Sequence, residues 1–443
     1  MNVILANLVP DVAVSHDSGT YRQKMSNLHF PIGLGIIAAV LKRHGIPFDT
    51  YDSNVDGTTR GFLELLEQKP YDMVLLSGFL GNYTYRFLMQ LSGDIKAVSP
   101  KTVIVIGGPI ASTIPELLLR NTPVDYAVVG EGEETIVDML GVFHQKGTAA
   151  GVPGVYSRDG AGNLLYGGDR QRIRDLDAYP FPEYDAFSID RYTAFLKESG
   201  RCLDVLASRG CYANCRYCCR VFGRKITRYS YGKVVEHMRD FHRKHGVDRF
   251  NFVDDNFLNH PRDVEEFISI LKKTPISFKW RFQARIDRIE PPLIEKLAKV
   301  GLYDVSIGIE SGSQKMLETY QKRIDIGKAF EKLDTIRHLI DVHATFIVGG
   351  PGENWETVRQ TEAFIRKLRL KNSAVGILTL FPKTYFYRQA LRDGIIRDEN
   401  DYCLNLGPVF DRPYTNISDL SDMELIQARN ILQDAASEFG SYS

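Results

Sequence analysis

Short apolar runs alternate with stretches of helical spacing along most of the chain. Val3 to Val9 is the first run. Gly33 to Arg43 places Leu34, Ile37, Ala38 and Leu41 on one helical face. Pro47 to Tyr51 predicts a short strand and Gly61 to Glu67 a helix. Met73-Val-Leu-Leu-Ser77 predicts a third strand, and Tyr83 to Val98 a long helix. Thr102 to Ile106 is a fourth strand, Ile114 to Arg120 a helix, and Tyr126 to Val129 a fifth strand. Strands alternating with helices in this way predict an α/β fold with a doubly wound parallel sheet over residues 1–150.

Residues 151–200 break the rhythm. Arg174 to Phe187 is rich in proline and aromatics, which prevents a continuous helix and predicts a connector packed along a surface. From Cys202 the alternation resumes. One strand leads into a cysteine-rich loop, and five more follow: Arg249 to Val253, Lys279 to Ala284, Asp304 to Glu310, Ala344 to Val348 and Val375 to Phe381. Helices are expected at Tyr231 to Lys244, Pro261 to Lys272, Pro292 to Val300, Phe330 to Ile340 and Glu356 to Leu368. Six strand–helix units are two short of a closed eightfold barrel, so 201–384 predicts a partial (β/α)6 TIM barrel with its site at the strand C-terminal ends. Residues 385–443 predict a small C-terminal segment: loop-rich from Arg388 to Tyr414, then a helix from Asp422 to Phe439.

The chain has 443 residues, too many for one ordinary core. A hydrophobic content of 44 % and a charged content of 25 % are those of a globular protein in water. The formal net charge is zero, which speaks against a nucleic-acid partner. No apolar run reaches the length of a membrane span, so no membrane association is expected. The N-terminus lacks a basic flank and long apolar core, so it reads as a strand and not as a signal peptide. Of the six cysteines, five lie between Cys202 and Cys219 and the sixth is Cys403. That clustering predicts a metal centre in a reducing cytoplasm.

Cys211, Cys215 and Cys218 have the spacing CxxxCxxC within one loop. Three thiolates suit a soft metal centre and leave one position without a protein ligand. A [4Fe-4S] cluster with one iron open to a ligand is the leading expectation. Zinc with Cys219 or a distant histidine as fourth ligand is an alternative. Buried structural cysteines, or a thiol redox pair, are another. Cys218 and Cys219 are adjacent, and neighbouring side chains on an extended chain point apart, so one metal is not expected to take both.

Polar residues and glycines fall at strand ends. Ser77-Gly78, Gly107-Gly108 and Gly130-Glu131-Gly132 end strands of the first sheet, where doubly wound folds bind ligands. Glycines there admit a flat or phosphorylated ligand close to the backbone, although ordinary helix-start glycines look the same. No GxGxxG follows the first strand, so a nicotinamide site is not expected. In the second half Asp254, Asp255, Gln283, Arg285 and Glu310 end separate strands and can converge on one mouth. Each alone could equally be a solvated strand end.

The cysteine loop, with Tyr217 before its last cysteine, resembles the signature of the radical S-adenosylmethionine (SAM) superfamily. The resemblance implies that Cys211, Cys215 and Cys218 hold three irons and that SAM chelates the fourth. Tyr217 would lie near adenine. Glu310 in Gly308-Ile-Glu-Ser-Gly312, and Asp254-Asp255, resemble segments that contact SAM. Carboxylates suit its ammonium and ribose diol, and Gln283 and Arg285 suit its carboxylate.

The first half, with Pro31-Ile-Gly-Leu-Gly-Ile-Ile-Ala-Ala39, Gly107-Gly-Pro109 and Val129-Gly-Glu-Gly-Glu133, resembles the Rossmann-like domain of the cobalamin-dependent radical SAM family. Ser77, Gly107, Gly108, Gly130 and Glu131 are then expected at cobalamin. The chain has no DxHxxG, so no histidine is expected on cobalt. The resemblance implies an enzyme, most often a methyltransferase acting on an unactivated carbon of a small-molecule or peptide substrate. It also implies a reductant such as flavodoxin or ferredoxin. A non-methylating oxidative cyclase or ring-rearranging enzyme is the alternative within the family. A cobalamin sensor or carrier with a structural metal is the alternative outside it. A methylthiotransferase is disfavoured, because no cysteine precedes Cys202.

Overall fold

A computed structural model describes residues 1–10, 14–16, 19–21, 29–200, 202–260, 263–371, 373–407 and 412–440, with only the backbone described for 14–16 and 19–21. The chain divides into two compact units, Met1–Asp204 and Val205–Ser443.

In the first unit β1 (Val3–Asn7) is followed by a small hairpin, β2 (Val14–His16) and β3 (Gly19–Tyr21), then α1 (Ile32–Arg43), β4 (Asp49–Asp52) and α2 (Thr59–Gln68). Next come β5 (Met73–Ser77), α3 (Thr84–Val98), β6 (Val103–Gly107), α4 (Gly108–Thr113), α5 (Pro115–Asn121), β7 (Tyr126–Val128) and α6 (Glu133–Lys146). The helix expected over 114–120 is α5, and a further short helix, α4, precedes it because Gly108-Pro109 starts a turn of helix directly at the end of β6. Residues of β1 and β5 are buried on both faces, which is why these strands read as continuous apolar runs.

The segment expected as a plain connector contributes to this sheet. It forms β8 (Val155–Arg158) and β9 (Leu164–Tyr166), an antiparallel extension that gives the order β4-β1-β5-β6-β7-β8-β9. These strands are short and half exposed, so their apolar signal is weak. Helix α7 (Ile189–Ser199) follows.

The second sheet starts with β10 (Leu203–Val205). A two-residue ladder, β11 (Ser208–Arg209) with β12 (Thr227–Arg228), closes the base of the cysteine loop. Then come α8 (Tyr231–His245), β13 (Arg249–Phe252), α9 (Val264–Lys273), β14 (Lys279–Ala284), α10 (Pro291–Ala298), β15 (Leu302–Glu310), α11 (Gln314–Thr319), α12 (Ile326–Ile336), β16 (Asp341–Val348), α13 (Trp355–Leu368) and β17 (Ala374–Ile377). The six long strands lie in chain order, β10-β13-β14-β15-β16-β17, as a partial barrel requires. Alternation sorts their side chains. Trp280 and Phe282 are fully buried in a cluster with Phe252, Phe257 and Phe267, while Arg281 and Gln283 take the other face.

The region expected to be loop-rich holds two short helices, α14 (Tyr385–Arg392) and α15 (Glu399–Asn405), before α16 (Asp422–Ser437). Helix α16 covers the edge strand: Gln433 Oε1 accepts from the Val375 N–H at 3.0 Å, and Arg429 donates to the Val375 carbonyl at 3.2 Å. That satisfies an otherwise open sheet edge.

Candidate active site

The cysteine loop leaves β11 through Gly210, whose φ is +91°. A Cβ there would collide with the Lys225 carbonyl, so the loop's entry needs glycine. The Gly210 N–H donates to Asp255 Oδ2 at 2.9 Å, and the Cys211 N–H to the Gly223 carbonyl at 3.2 Å. Cys211 and Cys215 are buried, and Cys218 is the exposed member. Burial raises the Cys211 thiol, and the nearby Asp255 and Cys215 add to the rise. Each thiolate thus opposes the others until a cation compensates them.

Among the described residues no three His, Cys, Asp or Glu side chains converge tightly enough for a single metal ion. Three cysteines on one loop fit a multi-iron cluster, whose ligands are spread over separate irons. The donor set fits a [4Fe-4S] cluster, which Cys211, Cys215 and Cys218 would hold.

Around this loop the strand ends take different roles. Glu310 sits at a bulge of β15, with φ +72° in the left-handed region. Its Oε1 accepts from Tyr217 OH at 2.8 Å and from Lys322 Nζ at 2.7 Å. Lys322 carried no sequence signal, since it lies on no strand end and no periodic face. Tyr217 also meets the Tyr320 ring edge-on at 5.6 Å. Burial, then the Glu310 charge, hold the Tyr217 hydroxyl well above its ordinary range, so it remains a donor.

Gln283 is exposed and donates to the Asp254 carbonyl at 2.8 Å, which uses its nitrogen and leaves its oxygen as an acceptor. Thr379, just past β17, is a buried residue whose hydroxyl has no partner among the described residues. Such an orphan fits a ligand-facing position. Glu310, Gln283 and Thr379 thus offer acceptors and donors of the kinds SAM requires.

Two expected SAM contacts are turned elsewhere. Asp254 is fully buried, and its carboxylate accepts from the Ala207 N–H at 3.1 Å and from the Ser208 hydroxyl. It braces the chain before the cysteine loop. Arg285 is wrapped around that loop: it donates to Cys215 Sγ at 3.1 Å, to Asp287 at 2.9 Å, to Tyr212 OH at 3.1 Å and to the Lys322 carbonyl. In this arrangement its donors are turned to a cysteine sulfur and to neighbouring oxygens.

In the first unit Ser77 ends β5 and pairs in register with Gly107 at the end of β6. Gly108 has φ +81°, and a Cβ there would stand 2.6 Å from Ser77 Oγ. Ser77 Oγ has no hydrogen-bond partner among the described residues, and Phe79 in the loop beyond it is 74 % exposed. A glycine floor, a hydroxyl without a partner and an exposed ring fit a broad, flat group such as a corrin. Gly130 has φ +81° and donates to Ser112 Oγ at 3.0 Å. Glu131 departs from expectation. It is committed to the Ile173 N–H at 2.8 Å and to Arg172 at 3.6 Å, so it pins the following segment.

Comparison with known families agrees with this division. The B12 binding domain matches residues 20–140 and the Radical SAM superfamily matches residues 205–365. An uncharacterized methyltransferase of Pyrococcus horikoshii is 28 % identical over 311 residues, which cover 69 % of this chain and 66 % of that protein. The match thus spans just under two thirds of that relative's length. Cytidylyl-2-hydroxyethylphosphonate methyltransferase of Streptomyces wedmorensis is 24 % identical over 437 residues, covering 86 % of this chain and 81 % of that protein. Among solved structures, the radical SAM methyltransferase TsrM of Kitasatospora setae, with cobalamin and a [4Fe-4S] cluster bound, superposes with a TM-score of 0.71 at 16 % identity. It covers 89 % of this chain and 78 % of its own, and the likeness is one of fold.

A cobalamin-binding sheet followed by a radical SAM barrel defines an enzyme of the radical SAM class. The chain joins a B12 binding domain to a Radical SAM superfamily domain, the organisation of cobalamin-dependent radical SAM enzymes, and these two domains imply a [4Fe-4S] cluster, SAM and cobalamin as cofactors.

Proposed function

We propose that this protein is a C-methyltransferase that places a methyl group on an unactivated carbon of a small-molecule or peptide substrate. The observation that carries the reading is that two relatives matched over most of this chain are methyltransferases. When bound, the cluster and SAM supply a 5'-deoxyadenosyl radical, and cobalamin supplies a transferable methyl group.

The chain's own residues have tasks of holding and orienting. Cys211, Cys215 and Cys218 would hold the cluster, and Arg285 and Asp255 fix the loop that carries them. Glu310, Gln283 and Thr379 would receive SAM. Ser77, Gly107 and Gly108 would receive cobalamin in the unit Met1–Asp204. The segment after β17 is tied to the cysteine loop, since the Tyr385 N–H donates to the Arg216 carbonyl at 3.1 Å and the Arg216 guanidinium lies 4.6 Å from the Tyr385 ring centroid. We read this segment as a border of the substrate site, on the strength of that tie to the cysteine loop.

The test is anaerobic reconstitution with iron, sulfide and hydroxocobalamin, followed by reaction with methyl-deuterated SAM and a reductant. Methyl transfer yields S-adenosylhomocysteine beside 5'-deoxyadenosine. Formation of 5'-deoxyadenosine alone would overturn the methyltransferase reading in favour of a non-methylating radical oxidation.

A further inference from the structure

Lys322 stands in a strap that crosses the cysteine loop. Arg216 holds the strap at two points: its N–H donates to the Tyr320 carbonyl at 3.0 Å, and its guanidinium to the Thr319 carbonyl at 3.2 Å. Arg285 adds a third hold on the Lys322 carbonyl. On either side of Lys322 a non-glycine residue adopts the left-handed conformation, Gln321 at φ +52° and Arg323 at φ +54°. Such residues persist only where the surroundings over-determine them. The backbone is thus held in a disfavoured shape that delivers one side chain.

That side chain reaches Glu310 Oε1 at 2.7 Å and Tyr217 OH at 3.3 Å. The Lys322 and Glu310 side chains are 5 % and 7 % exposed. A Cβ on Gly308 would collide with Glu310 Oε1 and crowd Lys322 Nζ, so glycine makes room for the pair. Glu310 Oε1 is saturated by Lys322 and Tyr217. Oε2 has no partner among the described residues, and it is not one of the buried orphan atoms. One oxygen is therefore locked and the other is offered.

We propose that Lys322 is a positioning residue for SAM, acting through Glu310: it holds Oε1, so that Oε2 is the acceptor presented to the ammonium or the ribose diol. A buried carboxylate is costly without a cation beside it and turns toward whatever donors remain. Lys322 supplies the countercharge. The proposal rests on the reading that Glu310 faces SAM.

The experiment is calorimetric titration of SAM into the reconstituted full-length protein, with cluster content read from absorbance. The variants are Glu310→Gln, Lys322→Met and the double variant. Each single substitution is expected to weaken SAM binding roughly ten- to hundredfold while the cluster remains. The double variant is expected to bind like Glu310→Gln, because Lys322 has nothing left to position. Unchanged affinity in Glu310→Gln removes Glu310 from the SAM site, and the proposal falls with it. Weakened binding in Glu310→Gln with unchanged binding in Lys322→Met overturns the role of Lys322 alone. Should Lys322→Met fail to take up its cluster, the double variant still decides. Binding weaker than Glu310→Gln by a further factor of ten would show that Lys322 acts independently and would overturn the proposal.

Discussion

The guanidinium of Arg285 donates to Cys215 Sγ at 3.1 Å. A hydrogen bond and a positive charge on a cluster thiolate draw electron density from the iron and favour the reduced state. Arg285→Gln is therefore expected to assemble the cluster but to move its reduction potential to a more negative value. An electron paramagnetic resonance titration against solution potential measures this. A potential equal to that of the unaltered protein would show that the contact does not tune the cluster.

The three-thiol assignment separates the cysteines sharply. Alanine at Cys211, Cys215 or Cys218 should each abolish iron-sulfur absorbance or SAM cleavage. Alanine at Cys219 or Cys202 should leave the cluster in place. Anaerobic reconstitution that delivers one zinc and no iron to the unaltered protein would refute the cluster reading.

Gly308 faces the Glu310–Lys322 pair at a distance no Cβ can share. Gly308→Ala should displace the pair and cost about 1–3 kcal/mol, the usual range for overpacking. Chemical denaturation reads the loss. Equal stability in the variant would mean that the pair relaxes freely.

Two buried carboxyl groups make stability depend on pH. Burial pushes Asp254 from 3.8 up to about 7 and Glu353 from 4.5 up to about 7. The fold therefore binds protons that the unfolded chain has already released. Stability should fall as pH rises between about 4 and 7, and level off above the folded values. Asp254→Asn and Glu353→Gln should each flatten that slope in urea melts. A slope unchanged in both variants would contradict the assignment.

For cobalamin, the Co(II) form should lack nitrogen splitting in its paramagnetic resonance spectrum. The chain has no DxHxxG. His29 has its Nδ1 2.6 Å from Asp204, and the side chain of His16 lies outside the described residues. The fragment 1–204 should also resist urea better than 1–150, which lacks the β8–β9 extension and the Ile173 partner of Glu131. Observed imidazole splitting would place a histidine on cobalt.

The hydrophobic rhythm was enough to locate both sheets. Met73–Ser77 and Lys279–Ala284 emerge with the boundaries their sequence predicts, because a strand buried among helices needs an unbroken or alternating apolar run. The cysteine spacing likewise puts three thiols on one loop, since residues close in sequence cannot be far apart in space. Periodicity carries less where burial is partial, and the half-exposed β8 and β9 pass for connector.

Which way a strand-end side chain turns is another matter. Asp254, Arg285 and Glu310 look alike in sequence as polar residues ending strands, yet they reach Ser208, Cys215 and Lys322 respectively. A hydrogen bond takes whichever partner the completed fold brings within about 3 Å, and sequence separation does not limit that choice. The sequence by itself determined the two sheets and the loop that carries three closely spaced cysteines. Only the tertiary structure decided that Arg285 turns to Cys215, that Glu131 and Asp254 hold neighbouring backbone, and that Lys322 meets Glu310, because those contacts join segments that the fold alone brings together.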